Sequence, residues 1–311
     1  MIKKFKHQGV TWVDVYNPSK EEVLDLAQEY NLHPLLATEL SSPSLRSKVD
    51  VYEDYIYLIL HFPLCELCVG VDPNQQTIGS NKEIDFIIGK KFLITTHYAP
   101  EPILDEFAQI LDLKTHHYPT RGSLHAGHLF FTIAKQFYQA MESDLMFINQ
   151  SLRKAEANIF SGKEKETVKT LSNINRSLLD FRWSLKAHSD VLLSFQVAGK
   201  DFFGDSFHYY LRAVTGEYEK IWNMLESSHE TFNDLRSTNE SLLSIKTNST
   251  MKTLTVLAFI TLPLTLVGQI FGMSLKFIPL ANHPRGFWIV LVTMAIIATI
   301  MVTIVRSKKW L

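Results

Sequence analysis

A sparse row of oxygen-bearing side chains interrupts an apolar run near the C-terminus. Four of them, Asn248, Thr255, Thr265 and Gln269, fall on one helical face at separations of about one, two or three turns. Neutral side-chain oxygens have lone pairs that can accept hydrogen bonds from the water shell of a hydrated ion. Polar side chains inside such a run usually face a bundle interior or a water path. The pattern predicts an ion path along one face of a helix.

A single helical stripe contains these positions. Its candidate pore-lining residues are Asn248, Met251, Leu254, Thr255, Ala258, Leu262, Thr265 and Gln269. Leu254 and Leu262 are candidates for a hydrophobic constriction that gates by dewetting. If several copies of the helix surround the path, their Asn248 side chains would form a ring of amides at its cytoplasmic mouth. The alternative interpretation is that the two Thr hydroxyls only bond carbonyls of their own helix.

Two long apolar runs supply the helices that this path requires. Residues 251–271 carry no charge after Lys252, and residues 286–305 carry none at all. Each run has about 20 residues, or roughly 30 Å of helix, which matches the hydrocarbon core of a bilayer. Two transmembrane helices are predicted. Buried core helices of a soluble domain are the alternative, but neither run has the polar face that such helices usually show.

A heptad repeat leads into the first apolar run. Its positions alternate at spacings of four and three residues: Phe207, Leu211, Val214, Tyr218, Ile221, Leu225, Ser228, Phe232, Leu235, Asn239, Leu242, Lys246 and Ser249. Read as one helix, residues 205–271 span about 100 Å. A lone helix cannot bury such a stripe, so the repeat predicts a stalk that is bundled with copies of itself.

The first third of the chain alternates strand and helix signals. Residues 10–15 and 52–62 are rich in β-branched and aromatic side chains, and residues 83–96 predict a hairpin that turns at Gly89. Ser19 is a predicted N-cap. Residues 120–262 contain no proline, which favours long helices with a turn near residues 160–163.

Several motifs resemble the CorA-type magnesium channel family. Gly272-Met273-Ser274 is similar to the Gly-Met-Asn signature that ends the family's first span, although Ser274 replaces the Asn. The basic ending at residues 308–311 and the motifs at residues 12–18, 83–97 and 262–266 are also similar. The resemblance covers nearly the whole chain and is most specific over residues 248–311.

The resemblance implies a homopentamer in which the first span lines a central pore, with Gly272, Met273 and Ser274 as the selectivity filter. The implied cargo is a divalent cation that moves passively, magnesium first, with Zn²⁺, Co²⁺ or Ni²⁺ as alternatives. The implied partners are other copies of the chain, the lipid bilayer and the hydrated metal ion. Neither a resident metal, a covalently bound cofactor, a catalytic residue nor an enzyme activity is expected.

The filter and its loop leave other functions open. Serine has a shorter arm than asparagine and no amide, although Gln269 could supply the missing amides. Residues 275–285 contain no Asp or Glu, whereas cation channels commonly concentrate their ions with carboxylate rings. A weakly selective pore and a non-conducting membrane scaffold or sensor are the alternatives.

The predicted fold class is an α+β membrane protein with an N-terminal α/β cytoplasmic domain, a long helical stalk and two C-terminal transmembrane helices per subunit. The predicted segments are the α/β domain at 1–120, a helical hairpin at 121–204, the stalk helix at 205–250, the first span at 251–275, an external loop at 276–286, the second span at 287–306 and a basic tail at 307–311.

Charge indicates orientation and excludes one class of partner. The chain has 31 Lys and Arg against 32 Asp and Glu, a balance that argues against nucleic acid. Lys246 and Lys252 flank the first span, and residues 306–309 place three basic side chains after the second. The positive-inside rule then predicts a multi-pass protein of the inner membrane with both termini in the cytoplasm.

Two further clusters could bind metal. Cys65 and Cys68 form a CxxC sequence with His61 upstream, and we interpret them as two packed thiols in a reducing compartment. The histidines His116, His117, His125 and His128 are interpreted as a surface or interface cluster, with a regulatory metal site as the alternative.

Overall fold

The computed structural model describes residues 1–69, 81–113, 125–272 and 285–308. These residues form two compact units, Met1–Arg236 and Ser237–Leu311, which are described separately below. Outside the described residues lie His116, His117, Met273, Ser274, most of the expected external loop and residues 309–311 of the tail.

The first unit contains a mixed six-stranded sheet. Its strands are β1 (Ile2–His7), β2 (Val10–Tyr16), β3 (Lys48–Val51), β4 (Tyr55–Phe62), β5 (Lys82–Gly89) and β6 (Phe92–His97). The spatial order is β1-β2-β6-β5-β4-β3. The β2–β6 pair is parallel and the other neighbours are antiparallel. The sequence signals indicated the four central strands and missed the two edges.

The β5–β6 hairpin shows why its turn residue is a glycine. A Cβ at Gly89 would clash with the ring of Phe92, so a larger side chain would displace that ring. The missed edge strand β1 carries Lys3, Lys4 and Lys6. Lysines protect an edge strand from pairing with another chain, and they also hide its β signal from a sequence reading.

Four short helices accompany the sheet: the first two cover one of its faces, and the last two contact the long helix that follows them. They are α1 (Lys20–Glu29), α2 (Pro34–Glu39), α3 (Glu66–Val69) and α4 (Pro102–Leu113). The predicted N-cap is present, because the Ser19 hydroxyl accepts from the amide of Glu22 at 3.2 Å while the Glu22 carboxylate accepts from the Ser19 amide at 2.8 Å. Buried residues of α1 and α2 pack on one face of β2, β4, β5 and β6. The helix residues are Val23, Leu26 and Leu36, and the strand residues are Val13, Val15, Tyr57, Ile59, Ile87 and Ile94.

Long helices follow on the other face. They are α5 (Ala126–Phe160), α6 (Glu164–Leu185), α7 (His188–Phe203), one 3-10 turn (Asp205–Phe207) and α8 (His208–Gly272). Aromatic contacts join α5 to the sheet: Phe137 stacks on Phe62 of β4 at 4.3 Å between ring centroids, and Phe130 meets Phe86 of β5 edge-on at 5.1 Å.

The heptad stripe of α8 is buried inside its own chain, which corrects the self-association argument. Lys135 of α5 pairs with Glu217, Glu142 with Lys220 and Asn149 with Ser228, so α5 and α8 run side by side in the same direction. The stripe positions from Phe207 to Leu235 are at most 7% exposed. Helices of the same chain therefore satisfy this part of the repeat, and it needs no second copy.

The second unit contains the end of α8 and α9 (Gly286–Ser307), both long and apolar enough to cross a membrane. Protected or half-protected side chains form one stripe on each helix. The stripes are Val256, Ile260, Pro263, Leu264, Val267 and Phe271 on α8, and Gly286, Val290, Met294, Ile297, Ala298, Met301 and Val305 on α9. Two such stripes in a two-helix unit indicate that α8 and α9 pack against each other.

Candidate functional site

The candidate pore-lining residues lie on the exposed side of α8. All eight are exposed in the single chain, with Leu262 at 67%, Leu254 at 61% and Met251 at 58%. At about 100° per residue, the centre of this stripe is roughly 180° from the protected stripe that contains Val256 and Val267. The candidate surface is therefore the one that α9 leaves uncovered.

The hydroxyl groups on this surface have a defined hydrogen-bonding role. Thr255 donates to the carbonyl of Met251 at 2.8 Å, and Thr265 donates to the carbonyl of Leu262 at 2.8 Å. Both hydroxyl protons are therefore donated to carbonyls of the same helix, as the alternative interpretation expected. A hydroxyl that gives its only proton to the helix still has acceptor lone pairs, and such oxygens can accept hydrogen bonds from the water shell of a cation.

The filter region begins where α8 ends. Gly272 is the last described residue of α8 and is exposed. Gln269 lies within the last helical turn and is exposed as well. The remaining filter residues, Met273 and Ser274, are outside the described residues.

Comparison with known proteins decides the family. The family model described as CorA-like Mg²⁺ transporter protein matches residues 7–308. The chain belongs to the CorA family. The cobalt/magnesium transport protein CorA of Thermotoga maritima is 25% identical over 302 residues, which are 97% of this chain and 83% of the relative. The magnesium transport protein CorA of Campylobacter jejuni is 21% identical, over 98% of this chain and 92% of the relative.

The fold agrees with this membership. The complete structure of the CorA magnesium transporter from Methanocaldococcus jannaschii matches with a TM-score of 0.80 at 22% identity, covering 99% of this chain and 93% of that one. The predicted fold class, with an N-terminal α/β sheet domain, a long helix and two C-terminal apolar helices, is confirmed.

This CorA-family chain carries an unusual charge distribution around its apolar helices. Its sequence contains no Asp or Glu after Glu240. The same segment contains seven Lys and Arg residues. Cations that approach the exposed face of α8 would therefore meet neutral oxygens rather than carboxylates from that segment.

The prediction that the CxxC pair forms two separate thiols is wrong. Cys65 and Cys68 are joined in a disulfide with Cα atoms 5.2 Å apart, because Cys68 lies on the single turn of α3 directly after Cys65. His61 is not part of this cluster. Its Nε2 lies 2.9 Å from the carbonyl of Ser44, and its Nδ1 lies 2.9 Å from the Ser47 hydroxyl.

The two histidines of the cluster that the structure describes pack against each other and against phenylalanine rings. The rings of His125 and His128 are 4.1 Å apart, and His125 stacks on Phe203 at 4.6 Å. Burial, helped by the charge of His128, lowers the pKa of His125 to about 4. Among the described residues, the one group of three His, Cys, Asp or Glu side chains placed to hold a metal ion is Cys65, Cys68 and Asp144, so the histidine pair lacks a third ligand there.

Two polar residues, Asp144 and His188, have contacts that the sequence did not predict. Asp144 on α5 lies beside the disulfide, and no local motif marks it. His188 is fully buried: its Nε2 donates to the carbonyl of His61 at 2.9 Å, and its Nδ1 accepts from the Tyr138 hydroxyl at 3.0 Å. Because a carbonyl can only accept, Nε2 carries a proton, and full burial favours the neutral ring with an unprotonated Nδ1. Burial lowers the pKa of His188 to about 3.

Proposed function

We propose that this protein is a divalent-cation channel of the inner membrane, with magnesium as its principal cargo. The observation that carries the proposal is the geometry of α8: the polar stripe lies opposite the face that packs on α9. In a ring of copies, that stripe is free to line a common axis while the α9 side faces outward. The family model supports the cargo class.

Five copies would form the pore, as the resemblance implies. The hydrated ion would pass Gln269 and the Thr oxygens, the constrictions at Leu262 and Leu254, and the amides of Asn248. Movement would be passive and driven by the membrane potential, as the resemblance implies. The path offers oxygens that can contact the water shell of an ion without stripping it. Both termini lie in the cytoplasm, on the side with the excess of Lys and Arg.

A filter made from Gly272, Met273 and Ser274 would hold the ion less specifically than one with asparagine. A serine side chain is shorter than an asparagine side chain, so a serine ring would be wider and would lack amide groups. Together with the absence of acidic residues after Glu240, this favours a second candidate function. The pore would then carry other divalent ions such as Zn²⁺, Co²⁺ or Ni²⁺, or be weakly selective.

Ion flux into proteoliposomes of the purified protein tests both candidates. Magnesium, zinc, cobalt, potassium and chloride are compared under an inside-negative potential. We expect magnesium uptake that is blocked by cobalt hexaammine, an inert octahedral complex similar in size to hydrated magnesium. Flux of another ion with magnesium excluded would favour the second candidate. No measurable flux of any ion would indicate a non-conducting scaffold.

The substitution Ser274→Asn separates the filter from the rest of the path. Restoring the amide should raise the magnesium-to-potassium flux ratio by about tenfold, equivalent to about 1.4 kcal/mol of differential barrier. Ser274→Ala is the matched control and should lower the ratio. If the Asn variant leaves the ratio unchanged, Ser274 does not limit selectivity.

A further inference from the structure

We propose that Cys65, Cys68 and Asp144 form a binding site for a thiophilic divalent cation such as Zn²⁺ once the disulfide is reduced. The site lies in the first unit, between α3 and α5, and is separate from the α8 stripe. Its existence does not depend on what the pore conducts. It would give the protein a second cation site, with a ligand preference unlike that of magnesium.

The ligand atoms are already gathered. One ligand atom from each of the three residues lies within 4.8 Å of the others, and Cys68 Sγ lies 3.8 Å from the backbone carbonyl of Asp144. Zinc–sulfur bonds of about 2.3 Å and zinc–oxygen bonds of about 2.1 Å place tetrahedral ligands roughly 3.5 Å apart. Small side-chain rotations after reduction are enough to reach that geometry, and two-residue spacing between cysteines is common in zinc sites.

A cavity of about 140 Å³ lies against the site. Cys65, Asp144, Lys82 and Glu101 line it together with apolar side chains. A water occupies about 30 Å³, so there is room for an ion and a water as fourth ligand. Glu101 is only 2% exposed, and its Oε2 atom lies 3.0 Å from Lys82 without the geometry of a hydrogen bond. A water on the ion could donate to this buried oxygen.

The charges of the site favour a divalent cation. Two thiolates and one carboxylate carry three negative charges, which a divalent ion reduces to one. The ammonium group of Lys82 is close enough for its charge to act on Asp144 and offsets part of the remainder. Thiolates are soft ligands that prefer zinc and similar ions, whereas magnesium prefers oxygen, so the site discriminates against the proposed cargo.

Reduction must come first, because a disulfide offers no thiolate. With a phosphine reductant, the S–S bond breaks, the phosphorus takes the oxygen of one water, and the two sulfurs receive the two protons. A cellular dithiol can do the same by becoming a disulfide itself. Both thiols then release their protons as the metal binds.

The test uses the full-length protein in detergent, reduced with a phosphine and probed with Co²⁺ and Zn²⁺. Cobalt bound through sulfur gives a thiolate-to-metal charge-transfer band that all-oxygen sites do not produce. We expect this band in the reduced protein, about one equivalent per chain on titration, and its displacement by zinc. The oxidised protein and the Cys65→Ser/Cys68→Ser variant should not show it.

Asp144→Asn tests the third ligand while both thiols remain. Zinc affinity, measured by competition with a chromophoric chelator, should fall about tenfold or more. Glu156→Gln on the exposed face of the same helix is the matched control and should leave the affinity unchanged. Thermal unfolding of each variant without metal reports whether the fold is retained.

The proposal is overturned if the reduced wild-type protein gives no thiolate–cobalt band. It is also overturned, as a three-ligand site, if Asp144→Asn binds zinc as tightly as Glu156→Gln does.

Discussion

Helix α8 runs through two different environments, and the contrast explains what its periodicity means. In the first unit, Ile221 and Leu225 are each 1% exposed. In the second unit, Leu257 is 59% exposed and Leu262 is 67% exposed. The same kind of apolar side chain is covered by helices of its own chain in one half. In the other half it is left for lipid or for further copies.

The ionisable groups follow the same division. Every Asp and Glu of the sequence except Glu240 lies in the first unit, where some form ion pairs, such as Glu142 with Lys220. After Glu240, every charged residue is Lys or Arg. A charge inside a bilayer is costly, and residues 253–271 accordingly contain only apolar and hydroxyl side chains and one amide, Gln269. The two halves of α8 therefore differ in what surrounds them rather than in helical propensity.

The largest expected effect comes from truncating the buried half. Leu225→Ala should lower the free energy of unfolding of the first unit by about 2–5 kcal/mol, since it leaves a cavity among packed helices. Denaturant unfolding followed by circular dichroism and tryptophan fluorescence measures this. Leu257→Ala, the same change on the exposed half, should cost far less. If Leu225→Ala instead dissociated an oligomer at unchanged stability, the seam would face another copy.

The buried histidine should make the first unit sensitive to acid. Its pKa is about 3 when folded and near 6.5 when unfolded, so the unfolded chain takes up the proton first as pH falls. Stability then falls between about pH 6.5 and pH 3, by roughly 1.4 kcal/mol per pH unit. His188→Gln keeps a donor for the His61 carbonyl and an acceptor for Tyr138 but cannot titrate.

Unfolding free energies of both proteins across this pH range give the contribution of His188 as a difference in slope. Burial lowers the pKa of His61, but its contacts with Glu83 and Ser44 outweigh burial and raise it. That contribution is common to both proteins and cancels. Equal slopes would contradict the neutral, buried state of His188.

The exposed half of α8 can be divided by a pair of leucines. Leu262 and Leu257 are similarly exposed, yet five helical residues place them about 140° apart. Leu262→Ala should raise flux in proteoliposomes about tenfold, because a wider and less apolar constriction lowers the dewetting barrier by about 1.4 kcal/mol. Leu257→Ala should leave flux near the wild-type value. Equal responses would remove Leu262 from the conduction path.

The smallest effect is expected at the surface of the α5–α8 pair. Lys220 and Glu142 form an ion pair whose side chains are 49% and 28% exposed. Lys220→Ala should lower the free energy of unfolding by less than about 1 kcal/mol, since solvent and salt screen such pairs. High salt should abolish the difference from wild type. A loss as large as that of Leu225→Ala would mean that charge, rather than burial, holds the two helices together.

Much of the architecture was predictable because its signals are local. The Ser19 cap, the Gly89 turn and the two uncharged runs each depend on residues a few positions apart. The edge strand β1 was missed because its lysines break the alternation of a half-buried strand. The edge strand β3 alternates but has only four residues, too few to stand out from a loop. The filter residues Met273 and Ser274 and the pore-lining stripe remain predictions from spacing and resemblance.

Residue types and a fixed helical rise are enough to predict a long helix with an apolar stripe, two segments that match a bilayer in length, and a final stretch without acidic residues. Three further features are visible only in the folded chain: α5 covers the heptad seam, the candidate pore stripe lies opposite α9, and Asp144 meets the two cysteines. These are contacts between residues far apart in the chain, and no local periodicity specifies which helix will lie beside which.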